Sequence, residues 1–117
     1  MLTLPPSVRV YLASGVTDLR KSVDGLSALV VSTLLLDPFS GHLFLFRNRS
    51  GDRVKILVWD RSGFWVLYKR LEKGTFAWPK EITSAGVELS IGELTLLLEG
   101  LDATTVRRRR WYTRQAA

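Results

Sequence analysis

Apolar positions along the chain change rhythm three times, and each rhythm predicts a different element. From Val8 to Ala13 (VRVYLA) they alternate well enough for a first strand, which Ser14-Gly15 should end. Leu19, Val23, Leu26, Val30 and Leu34 then recur at helical spacing. Thr17 or Asp18 can cap this helix, and it should stop by Leu36, because Pro38 disfavours helical geometry at Asp37. Val31, Leu35 and Leu36 broaden its apolar face, through burial on two sides or as a partner surface.

Three strand-like runs follow, at about His42 to Arg47, Arg53 to Trp59 and Phe64 to Leu71. Asn48 to Asp52 and Asp60 to Gly63 are rich in turn residues, and such short links imply an antiparallel meander. Thr75 to Trp78 is expected as a short edge strand stopped by Pro79, and Val87 to Leu89 as another small strand. Ser90 and Glu93 have capping-box spacing, and Leu94, Leu97, Leu98 and Leu101 give the helix after it. The fold class is α+β: a small antiparallel β-meander sheet of four to six strands, one helix packed on it, and a short C-terminal helix. One domain should span residues 1–102, followed by a basic, flexible tail, 103–117.

Register gives the strands two faces. A tight Asp60–Gly63 connection sets Trp59 against Phe64, Leu57 against Val66, Lys55 against Tyr68 and Arg53 against Arg70. A five-residue Asn48–Asp52 loop sets Arg47 against Arg53. One face then reads as core, with Phe44, Phe46, Val54, Ile56, Val58, Trp65, Leu67 and Leu71. The other aligns Arg47, Arg53 and Arg70 in a row beside aromatic residues. Like charges directly opposite one another are unfavourable, so such a row makes sense beneath a bound polyanion.

Charge placement agrees with that reading. The chain carries 17 basic and 11 acidic residues, net +6. The part before Arg107 is almost neutral, with 12 basic against 11 acidic, and the tail supplies the remaining five arginines. Arg47 to Lys73 is basic, while Glu81 to Asp102 holds five acidic residues and no basic one. This segregation points to a polyanion partner. The candidate nucleic-acid contacts on the sheet are Arg47, Arg49, Arg53, Lys55, Lys69 and Arg70, with Trp59 and Tyr68 for stacking. Arg107, Arg108, Arg109 and Arg110 are the candidates in the tail.

Several chemistries find no support. The chain has no cysteine and one histidine, His42, so it has no disulfide, no thiol nucleophile and no site requiring two imidazoles. Asp18, Asp37, Asp52 and Asp60 fall at caps or turns, where Asp is ordinary. No phosphate-binding glycine loop is present. Catalytic residues, cofactors and a metal are therefore not expected. The N-terminus lacks a signal-peptide pattern and no apolar run could span a bilayer, so the expectation is a cytoplasmic protein with no membrane partner.

The motifs VRVYLASG, DLRKSVDGLSALV, DPFSGHLFLFRNRSGDRVKILVWD and GFWVLYKRLEKGTFAWP, in this order from about Pro6 to Leu101, resemble one family. It is the accessory protein of insertion sequence 66 family transposons, the TnpB or second-open-reading-frame type. The resemblance implies a bacterial protein encoded beside a separate, larger transposase and required for efficient transposition. The family has no established catalytic residues to carry over. The expected function is a non-catalytic accessory factor that binds transposon DNA through the sheet and tail. The alternative is a protein-interaction module that assembles the transposase complex, with a homo-oligomer left open. RNA binding on the aromatic sheet face is a third reading.

Overall fold

The computed structural model of this chain describes residues 5–79 and 86–100. In chain order the elements are β1 (Val10–Val16), α1 (Val23–Ser32), β2 (Leu43–Arg47), β3 (Arg53–Trp59), β4 (Phe64–Arg70), β5 (Gly86–Leu89) and α2 (Ile91–Leu98). The strands form one five-stranded sheet in the order β4-β3-β2-β1-β5. The fold is α+β with a mostly antiparallel sheet, as expected. β2, β3 and β4 form the meander, and β5 pairs antiparallel with β1. β1 and β2 are parallel, so the chain must cross over between them, and α1 makes that crossover.

Element boundaries differ from the sequence pattern where backbone partners outweigh residue preference. β1 does not stop at Ser14-Gly15. It continues to Val16 through a register shift, pairing Leu12 with Leu45 and then Val16 with Arg47, and the Thr17 N–H reaches the Arg47 carbonyl at 2.8 Å. The α1 helix begins later than Thr17 or Asp18 would suggest. The Asp18 carboxylate accepts the Arg20 N–H at 3.0 Å and its carbonyl accepts the Lys21 N–H at 3.1 Å. Asp18 therefore closes a turn of its own, and the helix starts after Ser22. It also ends early, at Ser32. The Leu34 N–H bonds back to the Leu29 carbonyl and the Leu36 N–H to the Val30 carbonyl, around Leu35 in the left-handed region at φ 57°.

Apolar side chains are buried on both faces of the sheet. On one face, Leu26 and Val30 of α1 pack on Ala13, Phe44, Phe46 and Leu57. Leu36 packs there too, whereas Val31 and Leu35 are exposed, so only those two extend the apolar face toward solvent. On the other face, Val10, Leu12, Leu43, Leu45, Val54, Ile56 and Val58 are covered by Phe76, Trp78, Leu94 and Leu97. Phe44 and Phe46 thus lie opposite Val54, Ile56 and Val58, not with them. Trp65, assigned to the core from sequence, is 48% exposed on the edge strand β4.

The segment Thr75 to Trp78 is not an edge strand. It runs as an irregular strap against the second face, with both aromatic rings buried. Its polar groups are satisfied without a ladder: the Phe76 N–H donates to the Gly51 carbonyl at 2.8 Å and the Trp78 Nε1–H to the Ala13 carbonyl at 2.8 Å. α2 carries the expected capping box, with the Glu93 N–H bonded to the Ser90 hydroxyl and the Glu93 carboxylate accepting the Ser90 N–H. Leu101 and the tail lie outside the described residues. Among the described residues, no helix is long and apolar enough to cross a membrane.

Leu35 yields a direct test. A left-handed conformation costs a branched L-residue about 1–2 kcal/mol, and its side chain is 80% exposed, so little packing depends on it. Leu35→Gly should raise stability by about 0.5–1 kcal/mol relative to Leu35→Ala, after allowing for the greater freedom of glycine in the unfolded chain. Urea denaturation of the two variants measures this difference; equal midpoints would count against strain at this position.

Candidate nucleic-acid interface

The two turns of the meander decide where the basic side chains point. The Asp60–Gly63 turn closes with the Asp60 N–H on the Gly63 carbonyl at 2.9 Å. It gives β3 and β4 the expected register, with Arg53 opposite Arg70, Lys55 opposite Tyr68, Leu57 opposite Val66 and Trp59 opposite Phe64. The other turn is one residue shorter than the sequence implied. Asn48 acts as the last rung of the ladder: its N–H donates to the Arg53 carbonyl at 3.2 Å and its side-chain oxygen accepts the Arg53 N–H at 3.0 Å. Gly51 supplies the left-handed step at φ 74° that the short loop needs. Asn48 and Ser50 also donate to Asp52, which holds its carboxyl below the ordinary carboxylate range.

That single rung breaks the expected arginine row. Arg47 faces Val54, and Phe46 faces Lys55. A one-residue slip turns every side chain to the other face. Arg47 therefore points to the strap side, its guanidinium 5.9 Å from the centre of the Trp78 ring. Its Nε is buried without a hydrogen-bond partner among the described residues. Lys69 also points to the strap side, donating to the Leu98 carbonyl at the C-terminal end of α2, where a cation is favoured.

The other basic residues converge on the α1 side. Arg53, Lys55 and Tyr68 from the sheet, Asn48 from the turn and Asp18 to Arg20 from the approach to α1 line an open groove of about 490 Å³. Lys55 is half-buried and donates to the Lys21 carbonyl at 2.9 Å, which steadies this wall. Tyr68 is 53% exposed. Arg53 faces the like charge of Arg70 across the ladder and has no ion-pair partner among the described residues. Arg70 has one, Glu72 at 3.0 Å, which raises its pKa. At the groove's other rim Arg20 grips Asp18 with two nitrogens, at 3.0 and 2.7 Å. The Arg20 hydrogen bonds hold the Asp18 carboxyl down at about 2.

The remaining candidates are scattered. Trp59 is in an aromatic cluster with Phe39 and Phe64, at ring-centre distances of 5.1 and 5.0 Å, at the opposite end of β3 from Arg53. Arg49 is exposed on the Asn48 turn. Arg107, Arg108, Arg109 and Arg110 lie outside the described residues. Sequence reasoning missed Arg20 and Asn48. Asp18 and Arg20 flank a single residue, a spacing that suits a side chain folding back over a turn, and Asn heading a tight loop is the residue that mimics a backbone rung.

The model of a family described as IS66 Orf2 like protein matches residues 8–108 of this chain. Two relatives from Sinorhizobium fredii (strain NBRC 101917 / NGR234), uncharacterized proteins y4jC and y4hO, are each 39% identical over 102 residues. The aligned part covers 87% of this chain and 86% and 88% of those proteins. No solved structure matches.

The Asp18–Arg20 grip has a pH signature. The carboxyl is held below its ordinary 3.8, so whatever the pair contributes to stability is present above that value and fades as pH falls through about 2. Arg20→Ala should raise the Asp18 midpoint from about 2 toward 3.8, read from side-chain carboxyl shifts in an NMR titration. An unchanged midpoint would rule out Arg20 as the cause.

Proposed function

This chain belongs to the IS66 Orf2-like family of insertion-sequence accessory proteins, and on that premise we propose that it binds the element's DNA through the groove on its α1 face. The observation that carries this reading is the convergence there of Arg20, Arg53, Lys55 and Tyr68, with Arg53 and Arg70 directly opposed. Two like charges held face to face destabilise a ladder; Glu72 already pairs with Arg70, and an anion placed over Arg53 offsets the repulsion that is left. A phosphate backbone presents anions at regular spacing, and the Tyr68 ring offers a flat surface for a sugar or base. Such contacts grip DNA with little preference for sequence, and the Arg107–Arg110 tail adds to the same electrostatic attraction. The protein acts in the cytoplasm, carries out no chemistry of its own, and positions DNA for a separate transposase.

A second reading is favoured by the exposure of Val31 and Leu35, at the end of α1 and just beyond it, at 55% and 80%. These two side chains supply an apolar contact for the transposase, and the acidic stretch around α2 offers it a charged one. DNA and transposase binding are compatible, because neither Val31 nor Leu35 lines the groove. In a pull-down with the element's transposase, Val31→Glu with Leu35→Glu should abolish capture; undiminished capture rules out this surface.

Fluorescence anisotropy with duplex from the element's ends tests the groove. Arg53→Ala with Arg70→Ala should weaken binding about tenfold or more and flatten the salt dependence by about one unit of slope for each phosphate no longer neutralised. Lys69→Ala, on the opposite face, should leave affinity unchanged. Full affinity in the double variant, or an equal drop in Lys69→Ala, would reject the groove as the binding face. Weakening only on removal of residues 103–117 would assign binding to the tail.

A further inference from the structure

Among the described residues β4 is an edge of the sheet, and its seven residues have β3 on one side only. The phase of the ladder fixes which backbone groups remain open. Bonds at both ends of the β3–β4 pair, Asp60 N–H to Gly63 O and Leu71 N–H to Asp52 O, place Trp65, Leu67 and Lys69 in the positions whose N–H and C=O groups turn toward β3. Phe64, Val66, Tyr68 and Arg70 therefore present theirs outward. An exposed edge of this length is a ready template for another strand.

We propose that β4 pairs antiparallel with β4 of a second copy of this chain, centred on Leu67, so that two five-stranded sheets join into one of ten strands. Centring on Leu67 is the arrangement that engages all four outward residues, pairing Phe64 with Arg70 and Val66 with Tyr68 in each direction. These are hydrogen-bonded pairs, and Leu67 against Leu67 and Trp65 against Lys69 are the intervening non-bonded pairs. The side chains suit that register. Each cation meets an aromatic ring, Arg70 on Phe64 and Lys69 on Trp65, and no two like charges oppose. Sliding the centre two residues to Lys69 would set lysine against lysine. The pairing also accounts for Trp65, the one described tryptophan that is largely exposed and that lies on the edge strand itself.

Residues opposite one another in a ladder share a face, so the two copies place their α1 helices and their grooves on the same side of the joined sheet. The pairing rests on β4 alone and stands whether or not the groove binds DNA.

The test uses the full chain. Sedimentation equilibrium should show a reversible dimer. Trp65→Lys sets like charges against Lys69 twice across the two-fold axis and should weaken that dimer roughly tenfold. Trp65→Glu sets opposite charges there instead and should keep it. The natural chain has no cysteine, so Leu67→Cys introduces a single thiol. Directly opposed non-bonded residues lie about 4.5 Å apart between Cα atoms, within disulfide reach. Mild oxidation should therefore give a cross-linked dimer from Leu67→Cys and little from Trp65→Cys, whose counterpart in the second copy lies well along the ladder. Far-UV circular dichroism verifies folding, and the Trp65 charge pair decides the matter if Leu67→Cys unfolds. A monomer at all concentrations, or a dimer indifferent to the charge at position 65, overturns the proposal.

Discussion

The structure is governed by the need to cover β2 on both faces. Leu43, Phe44, Leu45 and Phe46 are all completely buried, two on each side of the sheet. A run of four such residues cannot sit in a sheet with one wet face. It demands a layer on each side, and the chain supplies α1 to one and the strap with α2 to the other. The parallel pairing of β1 with β2 belongs to the same logic. A parallel pair needs a crossover, the crossover is α1, and the helix lands on the face where Phe44 and Phe46 need it.

This constraint is written in the sequence as a break in alternation. LFLF is continuous where a half-buried strand would alternate, and that is the signature of a strand covered twice. Dividing those residues between a core face and a binding face leaves half of them exposed by assumption. The elements themselves are legible because turn residues, capping residues and helical spacing are local signals. Strand order is not, since it depends on contacts such as Val10 with Leu43 and Val10 with Leu89. The strap escapes because its irregular backbone has no periodicity; Phe76 and Trp78 are held by size and by two hydrogen bonds.

The basic surface shows how narrow the margin is between a correct and an incorrect register. The β3–β4 turn contains nothing that imitates a backbone rung, and counting residues gives the right pairs. In the β2–β3 turn Asn48 takes the place of one more ladder residue, and Arg47 passes to the far side. The basic groove that results is smaller than the expected row but gains Arg20 from the approach to α1, a residue that belongs to no pattern in the strands. Clustering of charge along a chain says that a charged surface exists; the pleat says which residues share it.

The place of β5 has a consequence for how the chain is made. Four neighbouring strands, β4-β3-β2-β1, are complete in the chain before β5 emerges from the ribosome. Until then β1, from Val10 to Ala13, has an open flank, although it will be an inner strand of the finished sheet. Closing it joins residues near the two ends of the described chain, the kind of distant pairing that forms late and slowly. The nascent protein therefore passes through a stage in which its most buried strands end in a sticky border. Prompt arrival of the short Gly86–Leu89 segment is what seals it.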